Sequence, residues 1–311
     1  MNRIERVERV LSGKEPDRPP LSLWYHFGVQ HGGGERLARL AVDFFRHYRF
    51  DFLKVMNDYF YPMPGGIEAV RSASDLERIV RFDVGRSPWK EQLRALSVIA
   101  PELEGEAFFL DTVFDPWQTL RRALAGEHLD RLMAEEPDAV LSALEAIAEN
   151  LVDYCGRSIS AGSAGIFLSI AAGKETVARD PFLRFVKPFA ARVLASVRGK
   201  AILNTAHLHG EELWFDDCVD LPADAFNWWD RGPNGPSLSA ARERVPGCVM
   251  GGIDHTIVNR RTVPFLKEHV REGRRVGGRD RFLLANGCSI DASVNPAAIR
   301  AIVEAAREEM P

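Results

Sequence analysis

Short runs of apolar and β-branched residues recur along the chain, separated by longer segments whose apolar positions return every three or four residues. The short runs fall at residues 21–27, 52–57, 107–114, 165–171, 201–206, 225–229, 248–253 and 282–286, which predicts eight strands. Helical spacing falls at 35–48, 88–99, 116–125, 137–158, 181–197, 211–216, 237–244, 262–272 and 296–309. Ahead of the first run, Asn2 can cap a helix whose apolar positions are Ile4, Val7, Val10 and Leu11, and Gly13 with Asp17-Arg18-Pro19-Pro20 ends it. Eight strands alternating with helices over this length predict an α/β fold, a single (β/α)8 TIM barrel at residues 21–311 behind an N-terminal helix and linker at 1–20. Right-handed crossovers then put the long helix at 137–158 on the outside. A doubly wound open sheet is the alternative. It is weakened because no G-x-G-x-x-G follows any run, and Gly32-Gly33-Gly34 lacks the spacing of a nucleotide fingerprint.

Composition agrees with a globular protein: 311 residues are 46% apolar and 27% charged, enough for one large core or two ordinary ones. The formal charge of −4 is spread over mixed faces without a lysine-rich run, so nucleic acid is not an expected partner. The N-terminus is charged from Arg3 onward, and the longest apolar runs, such as 166–172, are too short to span a bilayer. A cytoplasmic protein without membrane attachment is the expectation. Cys155, Cys218, Cys248 and Cys288 stand singly with no C-x-x-C pair, against both a disulfide framework and a compact zinc knuckle.

Active sites of such barrels form at the C-terminal ends of the strands, so the polar residues just past each run are the candidates. They are His26 and His31 after the first; Asn57 and Asp58 with Tyr59-Phe60-Tyr61 after the second; and Asp115 with Pro116-Trp117 after the third. His207 and His209 follow the fifth, Trp229-Asp230-Arg231 the sixth, Asp254-His255 the seventh and Cys288 the eighth. Histidines spaced i, i+2 in extended backbone project to one side, so His207 and His209 can converge on a metal. The plain alternative is two polar residues closing a strand. Gly287 permits a sharp turn that faces Cys288 to the same mouth, and two imidazoles with one thiolate suit zinc with a fourth position open. Plain alternatives stand for the others too: Asp58 as a loop cap, Asp254 bonding loop amides, and Trp228 or Trp229 as packing. Cys248 opens its strand at the far end, and Cys155 and Cys218 lie in helical stretches, so these three read as buried side chains.

The stretch from Arg6-Val7-Glu8-Arg9-Val10-Leu11 through Asp17-Arg18-Pro19-Pro20 resembles the opening of the uroporphyrinogen decarboxylase superfamily. The resemblance continues through Phe50-Asp51-Phe52-Leu53-Lys54-Val55 into Asp58, Pro116-Trp117-Gln118-Thr119-Leu120, Gly251-Gly252-Ile253-Asp254 and Asn286-Gly287-Cys288, over essentially the whole chain. It implies a single (β/α)8 barrel and two branches of chemistry: a decarboxylase that needs no cofactor, and zinc-dependent methyltransferases that pass a methyl group between a corrinoid and a thiol such as coenzyme M. The decarboxylase carries Met-Arg-Gln-Ala-Gly-Arg after its first strand, where arginines grip substrate carboxylates. Here the place reads Leu23-Trp24-Tyr25-His26-Phe27-Gly28 and both arginines are missing, although Asp58 matches the aspartate that binds pyrrole N–H groups. The methyltransferase branch carries His-x-Cys-Gly after the fifth strand and a cysteine after the eighth. This chain has His207-Leu208-His209-Gly210 and Cys288, so an imidazole replaces one thiolate. That exchange makes the metal more Lewis-acidic and a bound thiolate a poorer nucleophile, which puts methylation of coenzyme M itself in question.

The resemblance therefore implies zinc on His207, His209 and Cys288, Asp58 and Asp254 as catalytic carboxylates, and His26, Tyr59, Trp229, Asp230 and His255 around a small-molecule substrate. A methylcobamide co-substrate or corrinoid protein, and assembly as a homodimer, complete the expectation. Two alternatives stay open: a decarboxylase of uroporphyrinogen or another carboxylated compound, and a non-catalytic barrel that binds a corrinoid partner.

Overall fold

A computed structural model describes residues 1–308. Eight parallel strands form one sheet: β1 (Leu21–Ser22), β2 (Phe52–Val55), β3 (Phe108–Phe114), β4 (Ile166–Ala171), β5 (Thr205–His209), β6 (Ala225–Trp228), β7 (Cys248–Ile253) and β8 (Phe282–Asn286). Their order, β1-β8-β7-β6-β5-β4-β3-β2, curls into a nearly closed (β/α)8 barrel with helices between the strands. Helix α1 (Arg3–Leu11) precedes it, capped by the Asn2 side chain accepting from the Glu5 amide. The main outer helices are α2 (Gly34–Tyr48), α3 (Lys90–Leu103), α4 (Pro137–Ser160), α5 (Lys187–Val197), α6 (Val263–Gly277) and α7 (Pro296–Arg307). Among the described residues, no helix is long and apolar enough to cross a membrane.

Alternation along the strands divides the core into two layers. Phe52, Leu110, Phe167, Leu203, Ala225, Cys248, Met250, Leu283 and Ala285 pack together inside the barrel, and Val7 and Val10 of α1 join them from below. The helix thus plugs the end of the barrel away from the mouth; Cys248 sits there with Sγ 3.5 Å from the Val10 carbonyl. The neighbouring residues of the same strands, such as Leu53, Val113, Leu168 and Leu284, pack outward against the helices.

The gap in the ladder lies between β1 and β2, and Asp51 spans it. Its amide donates to the Leu21 carbonyl at 2.8 Å, and its Oδ2 accepts from the Leu21 amide at 2.8 Å. Arg6 and Arg18 converge on the same buried carboxylate, at 2.8 and 2.5 Å. Arg6 also pairs with Asp17 at 2.7 Å. The charged opening of the chain is therefore the clasp of the barrel.

Three elements differ from the sequence reading. The first strand, expected at 21–27, ends at Ser22 because the Asn286 side chain takes over as ladder partner: its Oδ1 accepts from the Trp24 amide and its Nδ2 donates to the Trp24 carbonyl, at 3.3 and 3.2 Å. The fifth, expected at 201–206, is Thr205–His209, since the register with β4 runs from Phe167↔Thr205 to Ala171↔His209. The helix expected at 211–216 is absent apart from a single turn at Phe215–Asp217. Leu213 instead forms an antiparallel bridge with Gly173, and Glu175 accepts from the Glu211 and Glu212 amides. The segments at 116–125 and 181–197 are helical, but each contains a π-helical stretch, Leu120–Ala125 and Phe182–Val186.

Candidate metal centre

Strand register builds the centre. Ser169 of β4, His207 of β5 and Asn227 of β6 are partners across adjacent strands, so their side chains share one layer of the barrel. The Asn227 Nδ2 donates to two carbonyls, Met250 at 2.9 Å and Asn286 at 3.2 Å, which fixes the amide with Oδ1 toward His207. That oxygen can only accept, so the His207 Nδ1 carries its proton and donates at 2.6 Å, leaving Nε2 with its lone pair. Burial, reinforced by His209 and Lys54, holds the His207 pKa well below its ordinary value and the ring neutral. His209 ends the strand with an exposed edge; burial of the rest of the ring and the Arg122 charge lower its pKa, against the pull of Glu175.

Cys288 follows β8, and its Sγ lies 3.8 Å from His209 Nδ1. Burial raises the thiol pKa, opposed by the Ser289 amide and by Lys54, so without a metal the sulfur keeps its proton. One ligand atom each from His207, His209 and Cys288 lies within 4.8 Å of the others. A tetrahedral zinc with bonds of about 2.0 to 2.3 Å holds its ligand atoms roughly 3.3 to 3.8 Å apart, so this trio fits after a slight contraction. The fit is chemical as well: two neutral imidazoles, one with its tautomer fixed by a neighbour, and one thiol.

Two cavities meet at the trio, and a further one adjoins the first of them. One of about 200 Å³ lies inside the mouth, walled by His207, His209 and Cys288 with Lys54, Phe167, Ser169, Gln118 and Arg122. A second of about 270 Å³, lined by Asp58, Tyr59, Phe60, Tyr61 and Trp89, shares His26, Phe114, Gln118 and Arg122 with the first. A third of about 300 Å³ shares the trio and adds Glu175, Trp229 and His255.

Other sequence candidates divide into those at the cavities and those held away from them. His26 Nδ1 donates to Asp58 Oδ1 at 2.5 Å, and both line the second cavity. Tyr59 lines it too, its backbone carbonyl accepting from Trp89 Nε1 at 3.2 Å. His255 stands edge-on to Trp229, ring centres 5.3 Å apart, and its buried Nδ1 has no partner among the described residues. Asp254 is not brought to the cavities. Its Oδ1 accepts from Trp229 Nε1 and from the Thr256 amide and hydroxyl, at 3.1, 3.0 and 2.8 Å, so it orders the loop and sets the Trp229 ring. Asp230 turns behind the strands, accepting from the Gly252 amide at 3.0 Å; burial raises its pKa to about 7, and its Oδ2 has no partner among the described residues. It does not line the cavities. His31 is exposed on the turn Gln30–Gly32.

Residues inside the strands, not only those at strand ends, line the mouth. Lys54 stands in the middle of β2 and faces the barrel interior, its Nζ 4.4 Å from the Phe167 ring centre and 5.1 Å from that of Trp24. Burial draws its pKa down to about 7. Asn227 is likewise mid-strand, and Arg122 reaches the mouth from the π-helical stretch, its guanidinium 4.0 Å over the Phe114 ring. A lone lysine in Phe52-Leu53-Lys54-Val55 and a lone asparagine in Ala225-Phe226-Asn227-Trp228 were the available signals: a polar residue in an otherwise apolar strand must have a partner.

A (β/α)8 barrel with a nitrogen- and sulfur-bearing trio at its mouth defines the class. Residues 62–309 match the uroporphyrinogen decarboxylase (URO-D) family, and the chain belongs to it. A curated relative, uroporphyrinogen decarboxylase of Shewanella amazonensis, is 24% identical over 232 residues, covering 70% of this chain and 63% of the relative. The match therefore spans somewhat less than two thirds of that relative's length. Among solved structures, a methyltransferase from Methanosarcina mazei superposes with a TM-score of 0.83 at 16% identity, covering 98% of each chain. A B12-independent methionine synthase from a Shewanella species gives 0.61 at 11% identity, covering 94% of this chain and 92% of its own. At these identities the structural likenesses speak for the shared barrel. The family and the curated relative carry the name of a decarboxylase, and a methyltransferase shares the barrel.

Proposed function

We propose that this chain is a zinc-dependent methyltransferase acting on a thiol, with His207, His209 and Cys288 as metal ligands. The observation that carries the reading is the trio itself: three ligand atoms within 4.8 Å of one another, open to a cavity on either side. Two cavities meeting at one centre suit a transfer between two substrates. When bound, zinc supplies a coordination position that lowers the pKa of a thiol and holds it as thiolate.

The chain's own residues do the rest. Asn227 fixes the His207 tautomer. Asp58, accepting from His26 Nδ1, leaves His26 Nε2 as the free ring nitrogen at the junction of two cavities, where it takes the proton that the thiol releases. The sulfur then attacks the methyl carbon; the S–C bond forms as the bond to the donor breaks, and that electron pair leaves with the donor. Trp229, held by Asp254, with His255, gives the third cavity a flat wall, and Tyr59 and the exposed Phe60 do the same for the second. A corrin is too broad for chambers of this size, so a corrinoid donor, alone or on a partner protein, would cover the mouth. The decarboxylase reading is less well served, because Asp58 is engaged by His26 and the cavity beside it has Arg122 in place of an arginine clamp.

The test uses protein made without a polyhistidine tag or chelator. One zinc per chain is expected, lost in His209→Ala. Thiol methylation from methylcobalamin should disappear in Cys288→Ala, with no carbon dioxide released from uroporphyrinogen. Methyl transfer that survives loss of Cys288, or porphyrinogen decarboxylation that fails only in Asp58→Asn, overturns the proposal in favour of the metal-free enzyme.

A further inference from the structure

Lys54 is 4% exposed and forms part of the wall of the 200 Å³ cavity that His207, His209 and Cys288 also line. What surrounds it is a poor substitute for water: the Met56 sulfur at 2.8 Å and two aromatic rings. Among the described residues no carboxylate pairs with it within 4.0 Å, whereas the other deeply buried cation near the strands, Arg6, meets both Asp17 and Asp51. The wall of this cavity contains no aspartate or glutamate at all. It does contain a second cation, Arg122, which also has no ion-pair partner among the described residues. Ser169 adds a donor: its Oγ accepts from Gln118 Nε2 at 3.1 Å, so its own hydroxyl proton is free. A buried ammonium is costly unless a negative charge meets it, and among the described residues Asp58 and Asp111 act on Lys54 only from beyond ion-pair distance. A negative charge in direct contact with Lys54 would come from what binds.

We infer that Lys54 anchors a compact anionic group of the substrate, a carboxylate or an oxyanion of similar size, inside the barrel mouth, with Arg122 and Ser169 completing the cradle. Lys54 is then the residue that selects anionic over neutral substrates. The other end of the molecule faces His207, His209 and Cys288; that placement rests on the methyltransferase reading, but the anchor itself does not need the metal.

The experiment therefore uses metal-free, full-length protein. Thioglycolate and its uncharged amide, thioglycolamide, are compared by calorimetry. Wild type is expected to bind the acid about tenfold or more tightly than the amide. Lys54→Met should lose the preference while keeping its affinity for the amide, and Lys54→Arg should restore part of it. A second measurement avoids any question of folding in the variants: saturating thioglycolate or inorganic phosphate should protect Lys54 of the wild type from acetylation, read by mass spectrometry, and the amide should not. A preference that survives in Lys54→Met, or equal protection by acid and amide, overturns the anchor. If the protein never takes up zinc yet keeps the preference, the anchor stands and the metal reading fails; stoichiometric zinc without any preference removes the anchor alone.

Discussion

At the scale of single residues, the trio depends on side chains outside it. Asn227 is the clearest. Both its donors are used on backbone carbonyls, so its oxygen must face His207, and the ring nitrogen left with its lone pair follows from that. Asn227→Leu keeps the volume but frees the tautomer, and zinc affinity should fall roughly 10- to 100-fold by competition with a chromogenic chelator. Unchanged affinity would show that Asn227 does not set the His207 tautomer. Asp230 yields a prediction of opposite kind, because burial leaves it with a pKa of about 7 in the folded chain. A carboxyl whose pKa is raised on folding stabilises the fold below its unfolded pKa and loses that contribution as pH rises through the folded value. Wild type should therefore lose stability between pH 5 and 8 relative to Asp230→Asn, by on the order of 2 kcal/mol in urea denaturation. A difference that does not grow with pH would mean that the carboxyl is already ionised at pH 5. The trio itself was legible in the sequence because histidine and cysteine announce their chemistry wherever they stand. Lys54 and Asn227 were not, since nothing in a strand's own residues tells which polar side chain will meet another strand's ligand. Only the register between β4, β5 and β6 does that.

Elements end where their partners, not their propensities, stop them. The run at 21–27 has the composition of a full strand, yet it leaves the ladder after Ser22 because an asparagine 262 residues away replaces its partner. Residues 211–216 have a helical pattern, but a bridge to Gly173 and the Glu175 carboxylate hold them in a loop. Neither competitor is local, so a window of sequence could not contain it. The Gly251-Gly252 pair was visible only as a motif; its physical role is contact between β7 and α6. Gly252 has φ +96°, and a Cβ added at Gly273 would stand 2.3 Å from the Gly252 carbonyl oxygen. This close approach lets His269 Nε2 on α6 accept from the Asp254 amide at 2.9 Å, and Asp254 in turn holds Trp229. Gly273→Ala should thus cost about 1 to 3 kcal/mol and also disturb the Trp229 wall. Thermal unfolding and tryptophan fluorescence together test this; full stability with an unchanged emission maximum would show that the helix can shift freely.

Over the whole molecule, the two ends of the barrel carry different burdens. Alternation of strand and helix was enough to read the barrel from sequence, but the clasp beneath it was not, because Arg6, Asp17, Arg18 and Asp51 look like ordinary surface charges until the seam brings them together. Conservation of the fold should rest on that lower end and metal chemistry on the upper one. Removing Asp51 leaves two arginines without their shared buried carboxylate, so Asp51→Ala should destabilise the metal-free protein by about 3 to 5 kcal/mol. The upper end should behave otherwise. Both core layers are complete without the trio, so chelation should leave a folded protein, and zinc at about a thousandfold above its Kd should then add roughly 4 kcal/mol by mass action. His209→Ala should abolish that zinc-dependent rise in Tm while leaving the metal-free Tm near that of wild type, and Asp51→Ala should lower the metal-free Tm yet keep the rise. Melting all three proteins with and without zinc separates the two ends in one experiment. A metal-free wild type that is already unfolded, or a zinc response that vanishes in Asp51→Ala under conditions where that variant is still folded, would show that clasp and centre are coupled through the barrel.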